Sequence, residues 1–135
     1  MRIELIDYGY TEKPKRHFNN DAGADVYAKN DIIVPGLSSI RVPLGFGLKL
    51  PDGLAAFVGP RSSLSSKGIS CELAPVDSGY TGEIHAIVTN NTEFDYSISK
   101  NDRIGQLLII PIVLASFEEG TEETRGNGAF GSTGK

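Results

Sequence analysis

No stretch of this chain carries an apolar pattern of helical period long enough for an ordinary helix. Short β-rich runs follow one another instead, each broken by Gly, Pro, Asn or Asp. This pattern predicts strands at residues 2–6, 32–34, 39–42, 46–50, 54–58, 69–73, 83–89, 94–97 and 103–111. The breakers Pro35-Gly36, Pro51-Asp52-Gly53 and Asn90-Asn91 are turn chemistry, because Gly and Asn tolerate φ > 0 and Pro presets its own φ. Strands this frequent, with no helix between them, predict an all-β sandwich or barrel rather than βαβ units. One short helical turn is expected at 61–67, after Pro60 and ended by Gly68.

The run QLLIIPIV (106–113) does not alternate, so both of its faces are expected to be buried. Pro111 removes a ladder donor inside it, which suggests a change of partner there. In one domain of 135 residues such a strand is either an ordinary central strand or one packed against a second copy of the chain.

Charge and cysteine content narrow the chemistry. A net charge of −4 gives no basic excess to hold a long nucleic-acid backbone, so no nucleic-acid partner is expected. A local basic pocket for a small anion remains open. Cys71 is the only cysteine and His17 and His85 are isolated, which leaves no thiolate or histidine metal spacing. The start MRIELIDYGY alternates and carries charges, unlike a signal peptide. The longest apolar run is too short to span a bilayer. No membrane partner and a cytoplasmic location are therefore expected.

Five stretches hold chemistry, each with a plain alternative. In DAGADVYA (21–28), Asp25 could face a cation, and Asp21 could simply cap a turn. In GPRSSLSSKG (59–68), Arg61 offers a rigid donor fork and Ser62 and Ser63 offer hydroxyls where a helix would start. Capping by a serine would explain one hydroxyl but not the arginine. In APVDSGYTGE (74–83), Asp77 at a strand end could serve as a general base, with the Tyr80 ring flat against a sugar; a polar turn is the alternative. In NDRIGQLLIIP (101–111), Asp102 and Arg103 look like an ion pair or a turn brace, and Gln106 reads as structural. RGNGAFGSTG (125–134) fits a dinucleotide fingerprint in letters only, since no strand precedes it and no helix follows. A disordered end is its plain reading.

Taken in order, these five stretches resemble the five motifs of the trimeric dUTPases (dUTP diphosphatases), from Asp21 to Gly134. The resemblance implies a jelly-roll-like β-barrel or sandwich with one short helix, assembled as a homotrimer whose active sites are shared between subunits. It implies a core over residues 1–120 and a mobile C-terminal arm over 121–135 that closes over the site. The implied reaction is hydrolysis of dUTP to dUMP and pyrophosphate with Mg²⁺, which keeps uracil out of DNA and supplies dUMP for thymidylate synthesis.

Residue by residue, the resemblance makes Asp77 the base that orients water against the α-phosphorus. Tyr80 becomes the ring that leaves no space for a 2′-hydroxyl. Arg61, Ser62, Ser63 and Gln106 fall at the triphosphate, and Asp25 reaches Mg²⁺ through water. Cys71 and Val76 belong to a hairpin, 70–76, that reads uracil largely by main chain. Phe130 would stack on the base, Arg125 would pair with the γ-phosphate, and Gly131, Ser132 and Thr133 would bond phosphate oxygens. The chain departs from the usual pattern at Ser63, Gly79, Thr81, Asn101 and Ala129. A dCTP deaminase would share the fold and part of the motif order. Asp77 and Phe130 speak against it, since those enzymes use a glutamate and generally lack the phenylalanine.

Overall fold

The computed structural model describes residues 1–121. Within them run β1 (Glu4–Asp7), β2 (Ala24–Tyr27), β3 (Ile32–Val34), β4 (Ser38–Pro43), β5 (Phe46–Lys49) and β6 (Leu54–Gly59). After the single turn of helix α1 (Ser62–Ser65) come β7 (Ile69–Glu72), β8 (Pro75–Val76), β9 (His85–Asn90), β10 (Tyr96–Ile98) and β11 (Arg103–Pro111). The all-β expectation holds. Among the described residues no helix is long and apolar enough to cross a membrane.

All the strand pairs are antiparallel, and they form four small sheets in the orders β2-β11-β6-β8, β4-β9-β7, β1-β5 and β10-β3. They close on one core that includes Phe46, Leu44, Leu48, Val26, Val34, Val42 and Val88. Strand β9 shows how the sequence directs this. In HAIVTN, Ala86, Val88 and Asn90 point inward while His85, Ile87 and Thr89 face out, the period of two that a half-buried strand requires.

Asn90 is the one buried polar side chain among the described residues, and it is fully bonded. Its amide donates to the carbonyls of Val34 (3.0 Å) and Phe94 (2.7 Å), and its oxygen accepts from the Thr92 amide and hydroxyl.

Three expectations need correction. Strands β2 and β8 are absent from the sequence prediction: β2 begins directly behind the Asp-Ala-Gly turn signal, and β8 is only two residues long. The segment 70–76 is not a self-paired hairpin, since β7 pairs with β9 and β8 pairs with β6 in a different sheet. The run 106–113 is not buried on both faces within one chain. Within it only Leu107 is buried; Gln106, Leu108 and Ile109 are half-buried, Ile110 and Ile112 are about 40% exposed and Val113 is 90% exposed. Pro111 ends the strand opposite Leu54 rather than changing its partner; the β2 side is lost earlier, after Leu107.

Candidate functional site

Strand β11 organises one half of the site. Gln106 stands directly between Asp25 on β2 and Gly59 on β6, so these three positions share one face of the sheet. The Gln106 amide donates to the Pro60 carbonyl at 3.1 Å, which ties the strand to the turn bearing Arg61. A side chain at Gly23 would collide with Gln106, and one at Gly105 would stand 2.7 Å from the Gly59 carbonyl. Gly23 makes room for the Gln106 side chain, and Gly105 allows close approach of the β11 and β6 backbones.

Arg61 is the N-cap of α1, in extended conformation (φ −102°, ψ 123°), and makes no side-chain capping bond. Neither Ser62 nor Ser63 is consumed by capping. Their exposed hydroxyls remain available beside the guanidinium. Gly68 closes this segment at φ +88°, as its position after the helical turn predicts. Arg61 also lines a cleft of about 390 Å³ with Lys67, Tyr96, Asn101 and Arg103.

Asp25 does not face open water alone. Its backbone pairs with Lys15 in both directions (3.1 and 2.8 Å), and its Oδ2 lies 3.3 Å from Nη1 of Arg103. The partner of Arg103 is thus Asp25 and not Asp102, whose carboxylate instead accepts the Ser99 amide as a turn brace. A β-bulge makes this possible. The register runs Gln106↔Asp25 and Gly105↔Val26, then jumps to Arg103↔Tyr27, leaving Ile104 as the extra residue. Without the bulge, Tyr27 would face Ile104 and Arg103 would point to the core. With it, Ile104 is buried and the guanidinium reaches the carboxylate. Asn101 just before has φ +73°, a conformation asparagine tolerates better than other side chains, which accounts for its standing where glycine is common. Burial and the charges of Asp25 and Glu12 push the Tyr27 phenol up, against a downward pull from Arg103.

The other half lies at the opposite end of β6. A cleft of about 240 Å³ is lined by Val76, Asp77, Tyr80, Ile84, His85 and Ile87, among others. The Tyr80 amide donates to the Asp77 carbonyl at 3.0 Å, closing the turn that carries both residues. The Tyr80 hydroxyl donates to the Glu83 carbonyl at 2.7 Å, so the ring is pinned while remaining 44% exposed. Ser78 anchors the same turn to Asp52 at 3.1 Å, and Tyr8 donates to the Thr81 carbonyl at 2.7 Å. Gly79 has open space around it, so a side chain there would touch nothing. Arg41 and His85 share this cleft and were not singled out from the sequence. The alternation of β9 held the signal, since it places His85 on the outward face beside Ile87.

Cys71 points inward instead of into a cleft. Its Sγ donates to the Val58 carbonyl at 3.5 Å, linking β7 to β6, and burial pushes the thiol up to about 11. Any part it has in reading a base comes through its main chain. Val76 pairs with Ala56, and Arg61 follows five residues further along, roughly 17 Å away at strand rise. One chain therefore holds Asp77 and Tyr80 in one cleft and Asp25, Arg61 and Gln106 in another region. Arg125, Phe130, Gly131, Ser132 and Thr133 lie outside the described residues.

A dUTPase family model matches residues 10–134. The chain is 41% identical over 125 residues to a deoxyuridine 5'-triphosphate nucleotidohydrolase of Paramecium bursaria Chlorella virus 1, covering 90% of this chain and 89% of that protein. It is 40% identical over 143 residues to the enzyme of the same name in Tropheryma whipplei, covering 100% and 97%. In fold it is similar to the dUTPase from phage phi11 of S. aureus, in a structure describing the coordination of a structural Mg(II) ion (TM-score 0.84, 19% identity, 90% and 98% covered). It is also similar to the Staphylococcus bacteriophage 80alpha dUTPase with dUpNHpp (TM-score 0.83, 21% identity, 99% of each chain).

Proposed function

This chain belongs to the dUTPase family, and from that premise we propose which of its residues carry the hydrolysis of dUTP to dUMP and pyrophosphate. The reaction keeps uracil out of DNA and supplies dUMP for thymidylate synthesis. Asp77 takes a proton from water as that water attacks the α-phosphorus in line, and pyrophosphate leaves. Tyr80, held over its turn by the Glu83 carbonyl, lays its ring against the deoxyribose and denies room to a 2′-hydroxyl. Val76 and the main chain around Cys71 border the base. Arg61, Ser62 and Ser63 bind phosphate oxygens, and Gln106 holds their turn in place.

The residues present suit Mg²⁺ held from outside its water shell. Among the described residues no group of three or more His, Cys, Asp or Glu could cage a metal. Asp25 keeps one carboxylate oxygen outside its Arg103 bond, enough for one outer contact to an ion that prefers phosphate oxygens and water. Mg²⁺ supplies charge neutralisation along the triphosphate. Residues 121–135 serve as the arm over the bound nucleotide, with Phe130 on uracil, Arg125 on the γ-phosphate, and Gly131, Ser132 and Thr133 on phosphate oxygens.

The observation that carries this reading is the separation along β6. By strand rise Arg61 lies roughly 17 Å from the pair of Ala56 and Val76 next to Asp77, which supports a site that takes Asp77 and Tyr80 from one copy and Asp25, Arg61 and Gln106 from another. The exposed apolar segment Ile110 to Leu114 supports a homotrimer that brings the copies together. Mixing two inactive variants tests it. An Asp77→Asn chain and an Arg61→Gln chain, unfolded and refolded together in equal amounts, should recover about a quarter of the sites. Recovery of nothing would place both residues in one chain's site.

A further inference from the structure

The turn that carries Tyr80 is gripped by groups from outside it. Tyr8, the residue after β1, donates its hydroxyl to the Thr81 carbonyl at 2.7 Å. The half-buried Glu83 carboxylate is held twice through Oε2, which accepts the Gly45 amide at 2.8 Å and the Lys29 ammonium at 3.2 Å. Gly45 joins the two grips, because its carbonyl accepts the Tyr8 amide at 2.8 Å. It stands at φ +83°, and a Cβ there would lie 2.6 Å from the Tyr10 Cα, so this link requires glycine. On this base the Tyr80 hydroxyl donates to the Glu83 carbonyl at 2.7 Å. A Cβ at Gly82 would come within 2.6 Å of that hydroxyl oxygen, so the ring lies directly against the backbone of its own turn.

We propose that Glu83, braced by Lys29 and Gly45 and assisted by Tyr8, is a positioning residue that fixes the height of the Tyr80 ring over the sugar and so sets the discrimination against a 2′-hydroxyl. This rests on the reading above, in which that ring packs on the deoxyribose. The ring is 44% exposed, so core packing does not hold it in place. Its position depends on one hydroxyl–carbonyl bond and on the backbone that presents the carbonyl. Exclusion by contact works only if the ring cannot retreat, and a retreat on the order of 1 Å is enough to spoil such a fit. An exposed ion pair would do little to prevent that. Here the carboxylate is half-buried and also takes a charge-assisted bond from a backbone amide, which ties the turn to the loop before β5. Tyr8 and Lys29 lie outside the five motifs, so sugar selectivity would depend on residues that never meet the nucleotide.

The test compares kcat/KM for dUTP and for UTP on the full-length protein with Mg²⁺. Both substrates are assayed on one preparation, so the ratio is insensitive to any loss of folded protein. Glu83→Ala should lower the dUTP:UTP ratio on the order of tenfold, chiefly by raising kcat/KM for UTP. Glu83→Gln keeps an acceptor for the Gly45 amide and should retain most of the selectivity. Tyr8→Phe, which deletes one exposed hydroxyl, should lower the ratio severalfold with the unfolding midpoint little changed. In a Tyr80→Phe background the hydroxyl–carbonyl bond is already gone, so Glu83→Ala should add little further loss. Suppose wild type rejects UTP but both Glu83→Ala and Tyr8→Phe keep its ratio, or the Glu83 and Tyr80 effects add in full. Either result would overturn the inference and leave the proposed function standing. Equal turnover of UTP and dUTP by wild type would remove the role of Tyr80 and this inference with it.

Discussion

Gln106 donates its side-chain amide to the carbonyl of Pro60 at 3.1 Å, so the central strand fixes the turn from which Arg61 projects. Removing the bond in Gln106→Ala should loosen the guanidinium without touching the base. We expect KM for dUTP to rise about tenfold, the equivalent of about 1.4 kcal/mol, with kcat changed much less. Gly23→Ala should do the same by displacing the Gln106 side chain. Steady-state kinetics of both variants check this, and an unchanged KM in both would contradict it.

Asp77→Asn keeps the shape of the turn, because the turn depends on the Asp77 carbonyl and not on its carboxylate. Turnover should fall by roughly 10²–10⁴-fold, the usual contribution of a positioned base, with nucleotide affinity retained. Single-turnover kinetics beside a binding titration separate the two effects. Near-normal turnover would mean that another group activates the water.

Asn90→Ala should be the costliest change far from the site. It strips the Val34 and Phe94 carbonyls of a donor and the Thr92 amide of an acceptor in a fully buried place. The expected loss is about 2–4 kcal/mol, read as a lower urea midpoint with an unchanged slope. A change below about 0.5 kcal/mol would show that water replaces these bonds.

Cys71 supplies a pH-dependent test of packing. Its thiol is raised from an ordinary value of 9.0 to about 11, chiefly by burial, so the folded state favours the protonated form. The stability it contributes is complete below pH 9.0 and is lost as pH rises from there through about 11. The stability difference between wild type and Cys71→Ala should therefore shrink across that window in thermal melts. Alkylation of native protein at pH 8 should also be much slower than of unfolded protein. Equal alkylation rates would show an accessible thiolate.

The parts of the fold written in local pattern were legible. The limits of β11 follow from Asp102 before it and Pro111 at its end, and Gly68 marks the close of the helical segment. The departures arise where the chain gives no local signal. A bulge moves Arg103 to the face opposite the one simple alternation assigns it, and only the pairing with β2 reveals this. The apolar run beyond Ile109 looks like core in sequence and is surface in one chain; in the proposed homotrimer a second copy would cover it. For the site, residue types pointed to Asp77, Tyr80 and Arg61. That Asp77 and Arg61 lie at opposite ends of β6 is a fact of topology, and no spacing in the sequence encodes it.

Selective hydrolysis is the central claim, and pyrophosphate release from dUTP, dTTP, dCTP and UTP, assayed in parallel with Mg²⁺, tests it most directly. The account predicts fast release from dUTP with dUMP as the other product, and scarcely any from UTP or dTTP, because in the proposed site the Tyr80 ring would deny room to a 2′-hydroxyl and the segment around Val76 would read uracil. Equal turnover of UTP, or ammonia release from dCTP, would contradict it.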